Sequence, residues 1–205
     1  NLNIPYLIIH GEEDIPVNIA YSSWSTIKIP VMVSAFRRIS APYDPNDLIM
    51  MEQMIERSDN DSTDALAKAV IDPTFAPMEV TEDMKALGIE NTYWAGFFAP
   101  GSPMLQDYKT PANQRTDFST EPDRYAQTTP QDLGLLLEDI YYCAKDYGGS
   151  FPLAFNGEIT QEECQLMVDY LALNKIGVLI QAGVPADVTV AHKHGWAYEV
   201  DDGYI

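Results

Sequence analysis

The feature that most constrains this chain is a helix with no polar face. From Ser25 to Ile39 the spacing turns helical, and Ile27, Ile29, Val31, Met32, Ala35 and Phe36 put apolar side chains on nearly every side. Such a helix has to be enclosed by other elements. Pro30 falls in its first turns, where a missing N–H is best tolerated. Lys28 lies among these apolar residues, an unusual place for a charge.

The enclosing elements follow from pattern. Tyr6–His10 reads as a buried strand, Gly11–Asp14 as a turn and Val17–Tyr21 as a second strand, making a hairpin ahead of the helix. After the proline-rich break 41–45, Asp47 is expected to cap a helix running to Glu56. Asp61–Val70 reads as a short helix, and another starts near Thr81 and closes at Gly88. Glu90–Gln127 has no sustained period, and a long irregular segment inside a domain is usually functional. Thr129–Pro130 opens a strong helix, and Thr160 with Glu163 forms a capping box for the next. Val178–Ala182, Val188–His192 and Trp196–Val200 look strand-like. Strands, then helices, then strands predict an α+β fold: an antiparallel sheet packed against a helical body, in one domain over 1–205. The opening on Asn1-Leu2-Asn3 suggests that residues upstream are absent.

Charge excludes some functions. The chain carries 31 acidic and 12 basic residues, a formal net charge of -19. That balance disfavours nucleic acid and anionic membrane surfaces, both of which need clustered Lys and Arg. It suits high-salt or extracellular conditions. No run of about eighteen apolar residues is present to span a membrane. The two cysteines, Cys143 and Cys164, are compatible with two buried thiols or with one disulfide. His192 and His194 alternate around Lys193, but a metal site built on them lacks a third ligand, so no metal or cofactor is expected.

Three short motifs carry chemistry. In Ser25-Thr26-Ile27-Lys28, positions i and i+3 share a helix face, so Lys28 can reach the Ser25 hydroxyl. Enclosure disfavours a charged lysine, which makes it a base able to activate a serine. Alone, the same residues read as a helix cap and a surface lysine. Ser58-Asp59-Asn60 lies between two helical segments and reads either as a cap cluster or as a functional triplet. Lys193-His194-Gly195 falls in a strand-like stretch, where a glycine often marks the close approach of a ligand or another backbone.

In that order, S-x-x-K on a buried helix, S-D-N at a helix junction and K-x-G late in the chain, the set resembles the class A beta-lactamases and penicillin-binding proteins. Ser25–Val31, Glu56–Thr63 and Gln127–Pro130 extend the likeness, which covers most of the chain from Tyr6 to Gly195. The resemblance implies an active-site serine hydrolase without a cofactor, acting on beta-lactams, peptides or esters. It implies Ser25 as the nucleophile that forms an acyl-enzyme, Lys28 as the group accepting its proton, and Ser58 as the proton relay to the leaving nitrogen. Asn60 would hold the substrate's amide side chain, and Lys193 would attract its carboxylate. Backbone N–H groups of Ser25 and Trp196, the residue after Gly195, would form the oxyanion hole. It also implies an extracellular, periplasmic or cell-envelope location, and a fold incomplete at both ends here.

Three departures are visible. His194 stands where the family has a Ser or Thr hydroxyl; a partly protonated imidazole there would hold a carboxylate less well as pH rises. Between Trp94 and Thr128 there is no E-x-x-x-N to activate a deacylating water, Glu121 being the nearest candidate. Only ten residues follow Gly195. These departures suit two alternatives to a beta-lactamase: a penicillin-binding-protein-like carboxypeptidase or esterase, and a non-catalytic binding or scaffold domain that keeps the fold. A metal-binding module on His192 and His194 is a weaker third.

Overall fold

The computed structural model describes residues 16–118, 120–173, 180–196, 198–199 and 203–204. At its centre lies α1 (Lys28–Phe36), reached from β1 (Tyr21–Ser22) through a 3-10 turn over Trp24–Ile27. All nine residues of α1 are buried, as its apolar perimeter requires. Around it stand α2 (Pro45–Glu56), α3 (Asn60–Leu66), α4 (Ala76–Ala86) and α7 (Gln161–Ala172). The core joins Val31, Met32 and Phe36 of α1 to Met51, Met54, Leu66, Val80 and Met167.

The sheet is small and antiparallel. Between β2 (Tyr93–Trp94) and β1 lies β3 (Ala126–Thr128), pairing Tyr21 with Thr128 and Trp94 with Ala126. It sits at one end of α1, so the sheet fixes the start of the buried helix. A hairpin of β4 (Tyr198–Glu199) and β5 (Gly203–Tyr204) follows late in the chain. The expected α+β organisation is therefore observed, with helices dominating the described residues.

The caps explain the helix boundaries. Thr129 accepts a hydrogen bond from the Asp132 N–H at the start of α5 (Pro130–Asp146), and the Thr160–Glu163 capping box opens α7. Between these two helices runs α6 (Phe151–Ala154), and Cys143 and Cys164 join α5 to α7 in a disulfide. This resolves the alternative the sequence left open.

Several boundaries differ from expectation. Asp44, not Asp47, caps α2, because Pro45 takes the first helical position, where its missing N–H is harmless. The fourth helix starts at Ala76, not Thr81: Asp72 accepts from the Thr74 and Phe75 N–H groups and turns the chain earlier. Thr81 serves inside the helix, accepting from the Trp94 N–H at 3.0 Å and so pinning β2. Val17 and Asn18 form a turn, and strand pairing begins only at Tyr21. Gln181–Gly183 is a 3-10 turn rather than strand. Residues 188–196 form no ladder with the described strands; the His192 N–H donates instead to the Leu171 carbonyl at the end of α7. The expected strand Tyr6–His10 and turn Gly11–Asp14 lie outside the described residues, as do Val178 and Leu179.

Candidate active site

Ser25 is carried by the 3-10 turn that leads into α1. The residue before it, Trp24, has φ +45. A non-glycine residue in that region is strained, and such strain is held in place only by its surroundings. Ser23 provides part of that hold, its N–H donating to the Ala126 carbonyl of β3 at 3.0 Å. One turn further on, Lys28 is fully buried, and its Nζ lies 2.9 Å from Ser25 Oγ and 2.6 Å from Asn60 Oδ1. Burial lowers the Lys28 pKa to about 8, against the opposing pull of the Asp59 and Asp64 carboxylates.

The second motif divides its labour. Asp59 is the N-cap of α3, accepting from the Ser62 N–H at 2.7 Å. Its neighbours are thereby aimed elsewhere: Asn60 at Lys28, and Ser58, strained at φ +59, at Lys193. The cap and the functional triplet are thus one structure.

The third motif completes the cluster. Lys193 Nζ donates to Ser58 Oγ at 2.8 Å and to the His194 carbonyl at 2.9 Å. Burial, with the nearby Lys28 cation, lowers its pKa to about 7. Gly195 lies against the backbone leading into Ser25: a Cβ there would come within 2.9 Å of the Ser23 carbonyl and 3.0 Å of the Ser25 nitrogen. A close backbone approach, not strand packing, accounts for this glycine. It holds Gly195, the residue before Trp196, against the Ser25 nitrogen.

His194 stacks on Trp196 with ring centroids 4.3 Å apart and planes 22° apart. Both its ring nitrogens are buried without a hydrogen-bond partner among the described residues. Burial first, then Lys193, His192 and Lys28, push its pKa down to about 4. The ring is therefore neutral near pH 7, and the cationic hold on a carboxylate offered by the sequence does not operate there.

Two recesses meet at Ser25. The larger, about 510 Å³, runs between the Trp94–Ser102 segment, Tyr125 and Trp196. The smaller, about 270 Å³, is lined by Ser25, Arg57, Ser58, Asn60, His194 and Trp196. Ser25, Lys28, Ser58, Asn60, Lys193, His194, Gly195 and Trp196 therefore lie in one cluster, on or directly behind these walls. Glu121 lines neither recess; Asp123 is the carboxylate lining the larger one among the described residues.

Two participants escape the motifs. Asp64, 5% exposed, accepts from the Phe98 and Ala99 N–H groups at 2.9 and 2.8 Å. This sets the Phe98 ring 4.4 Å from Lys28 Nζ, a cation–π contact. Only the aromatic pair Phe97-Phe98 in a Pro/Gly-rich stretch hinted at such a role. No group of three His, Cys, Asp or Glu residues suited to a metal stands among the described residues.

Chemically, a buried lysine in contact with a serine hydroxyl can take its proton, and the neighbouring backbone N–H groups can stabilise an oxyanion. The same fold occurs in solved structures. A beta-lactamase from Streptosporangium roseum matches with TM-score 0.62 and 16% identity over 90% of this chain and 68% of that one. A reconstructed ancestral class A beta-lactamase matches with TM-score 0.58 and 20% identity over 88% of this chain and 68% of that one. A PBP-A L158E mutant, solved as an acyl-enzyme with penicillin G, matches with TM-score 0.58 and 19% identity over 89% and 65%. The chain thus spans about two thirds of the length of these structures. No curated protein matches in sequence. The sequence model of the beta-lactamase enzyme family matches residues 46–202, which take in Ser58, Asn60 and Lys193 and stop short of Ser25 and Lys28. With most of its length inside that match and the fold in agreement, this chain belongs to the beta-lactamase enzyme family.

Proposed function

We propose that the protein is an active-site serine hydrolase, with Ser25 attacking a carbonyl to form an acyl-enzyme. The observation that carries this reading is the contact of a fully buried Lys28 with Ser25 Oγ at 2.9 Å. In this reading neutral Lys28 accepts the Ser25 proton, and the Ser25 and Trp196 N–H groups hold the oxyanion. The leaving group takes a proton through Ser58, whose hydroxyl is backed by Lys193. Asn60, fixed by Lys28, orients the acyl side of the substrate. Substrates are beta-lactams, peptides or esters.

The same reading makes hydrolysis of the acyl-enzyme slow. The Phe98 ring covers one side of Lys28, and the carboxylates that act on this lysine among the described residues are engaged elsewhere, Asp59 as the cap of α3 and Asp64 by the Phe98 and Ala99 N–H groups. A penicillin-binding-protein-like carboxypeptidase or esterase fits this better than a fast beta-lactamase. Location outside the cytoplasm belongs to the proposal, and the Cys143–Cys164 disulfide is in keeping with an oxidising compartment. Among the described residues no helix is long and apolar enough to cross a membrane.

A second reading, a binding domain that keeps the fold, is favoured by His194, whose buried neutral ring replaces a hydroxyl. Exposure to an alkyl fluorophosphonate and to a fluorescent penicillin, followed by intact mass, separates the two. The hydrolase gains one adduct on Ser25 that Ser25→Ala lacks; the binding domain gains none.

A further inference from the structure

We propose that the acyl donor of this site carries a flat aromatic group, and that the larger recess beside Ser25 is its specificity pocket. The inference rests on Ser25 being the nucleophile.

Six aromatic side chains line that recess: Trp24, Trp94, Phe97, Phe98, Tyr125 and Trp196. They are held in defined orientations. Phe97 stands edge-on to Trp94, with centroids 5.6 Å apart and planes at 79°, while Phe98 lies at 5.6 Å from the same indole, tilted by 39°. Thr81 and Asp64 fix the backbones of Trp94 and Phe98. Trp196 is fixed differently, by stacking on His194. The arrangement offers both ring faces and ring edges, which is how aromatic groups prefer to meet one another.

Gly96 gives a second, independent indication. A Cβ at this position would come within 3.1 Å of the Tyr125 ring and 2.7 Å of the Pro103 carbonyl. A glycine there lets the Tyr125 ring lie directly on the recess backbone. Tyr125 is 40% exposed, with its O–H donating to the Ser102 carbonyl at 3.3 Å. An aromatic ring kept half in solvent over a glycine is poised to cover a ligand.

The charge distribution agrees. Among the described residues Asp123 alone brings a charge to the lining of this recess, and Arg57, Ser58 and His194 lie on the smaller one. A volume of about 510 Å³ falls in the range of small-molecule sites. Ser25 and Asn60 line both recesses, so a carbonyl at Ser25 would place its acyl group among the rings and its leaving group against the polar side.

The test uses p-nitrophenyl esters with one leaving group and three acyl groups: acetyl, cyclohexylacetyl and phenylacetyl. The rate of the nitrophenolate burst and the intact mass report acylation of Ser25. The cyclohexyl and phenyl groups are similar in size and apolarity, so a difference between them reads aromatic recognition. We expect phenylacetyl to be favoured over cyclohexylacetyl by about fivefold, the order expected for ring–ring contacts beyond burial. Tyr125→Ala should reduce that ratio towards one, and Tyr125→Phe should restore it. Should Tyr125→Ala fail to fold, Tyr125→Leu takes its place. Equal rates for the two bulky esters, with acetyl still transferred to Ser25, overturn the aromatic assignment alone. Absence of any Ser25 adduct overturns the nucleophile reading and this inference with it.

Discussion

If Lys28 is the base, acylation of Ser25 must follow its titration. Burial brings the Lys28 pKa down to about 8 from the ordinary lysine value of about 10.5. The neutral, proton-accepting form is then about 10% of the total at pH 7, half at pH 8 and about 90% at pH 9. The second-order rate of Ser25 modification should therefore rise about tenfold between pH 7 and pH 9 and then level off. An unperturbed lysine would give a rate still rising about tenfold per unit at pH 9. The assay is the rate of adduct formation with an uncharged alkyl fluorophosphonate, corrected for hydrolysis of the probe. An uncharged probe removes direct attraction between the reagent and the Lys193 charge from the measurement. Asp64→Asn sharpens the test: the Asp64 carboxylate raises the Lys28 pKa, so its neutralisation should move the midpoint to lower pH. A rate that is flat from pH 6 to 9 would refute Lys28 as the base, and one that climbs through pH 9 without a plateau would refute its lowered pKa.

Other perturbations follow from the same contacts. Lys28→Met should stabilise the fold while abolishing acylation: a folded-state pKa below the unfolded one penalises folding in full below about pH 8 and is relieved as pH rises towards 10.5. The gain near pH 7 is about 3 kcal/mol by urea denaturation, and should shrink at pH 10. Asp83, 2% exposed, receives Arg37 and Arg38 at 2.5 Å each; Asp83→Ala leaves Arg37 with the more exposed Glu158 and Arg38 with the more exposed Glu79, and should lower stability by about 2 kcal/mol. Phe98→Glu should put a carboxylate against Lys28 beside the acylated serine, and loss of the acyl adduct, followed by mass, should speed up about 10- to 100-fold.

Much of the site was legible because its parts are local. The S-x-x-K spacing sets Lys28 beneath Ser25 through one helical turn, and Gly195 signalled a close backbone approach that the Ser23–Ser25 segment supplies. The buried helix was equally plain, since an apolar perimeter leaves no surface option. What escaped depends on contacts distant in sequence. Phe98 takes its place because Asp64, 34 residues earlier, receives its N–H. The role of Asp59 as cap, which frees Ser58 and Asn60 to diverge, needed the helix start to be known to one residue. The strand assignments at Ile180–Ala182 and Val188–His192 failed, whereas Trp196–Val200 does contain the paired strand β4; apolar alternation alone does not distinguish a paired strand from an extended segment such as the one whose His192 N–H donates to Leu171.

The central claim is that Ser25 is a nucleophile. Intact-mass analysis after incubation with a fluorescent penicillin and with an alkyl fluorophosphonate tests it directly, with peptide mapping of the product. One adduct per chain is expected, mapped to Ser25 and absent from both Ser25→Ala and Lys28→Met. No mass shift with either reagent, or an equal shift in Ser25→Ala, would contradict it.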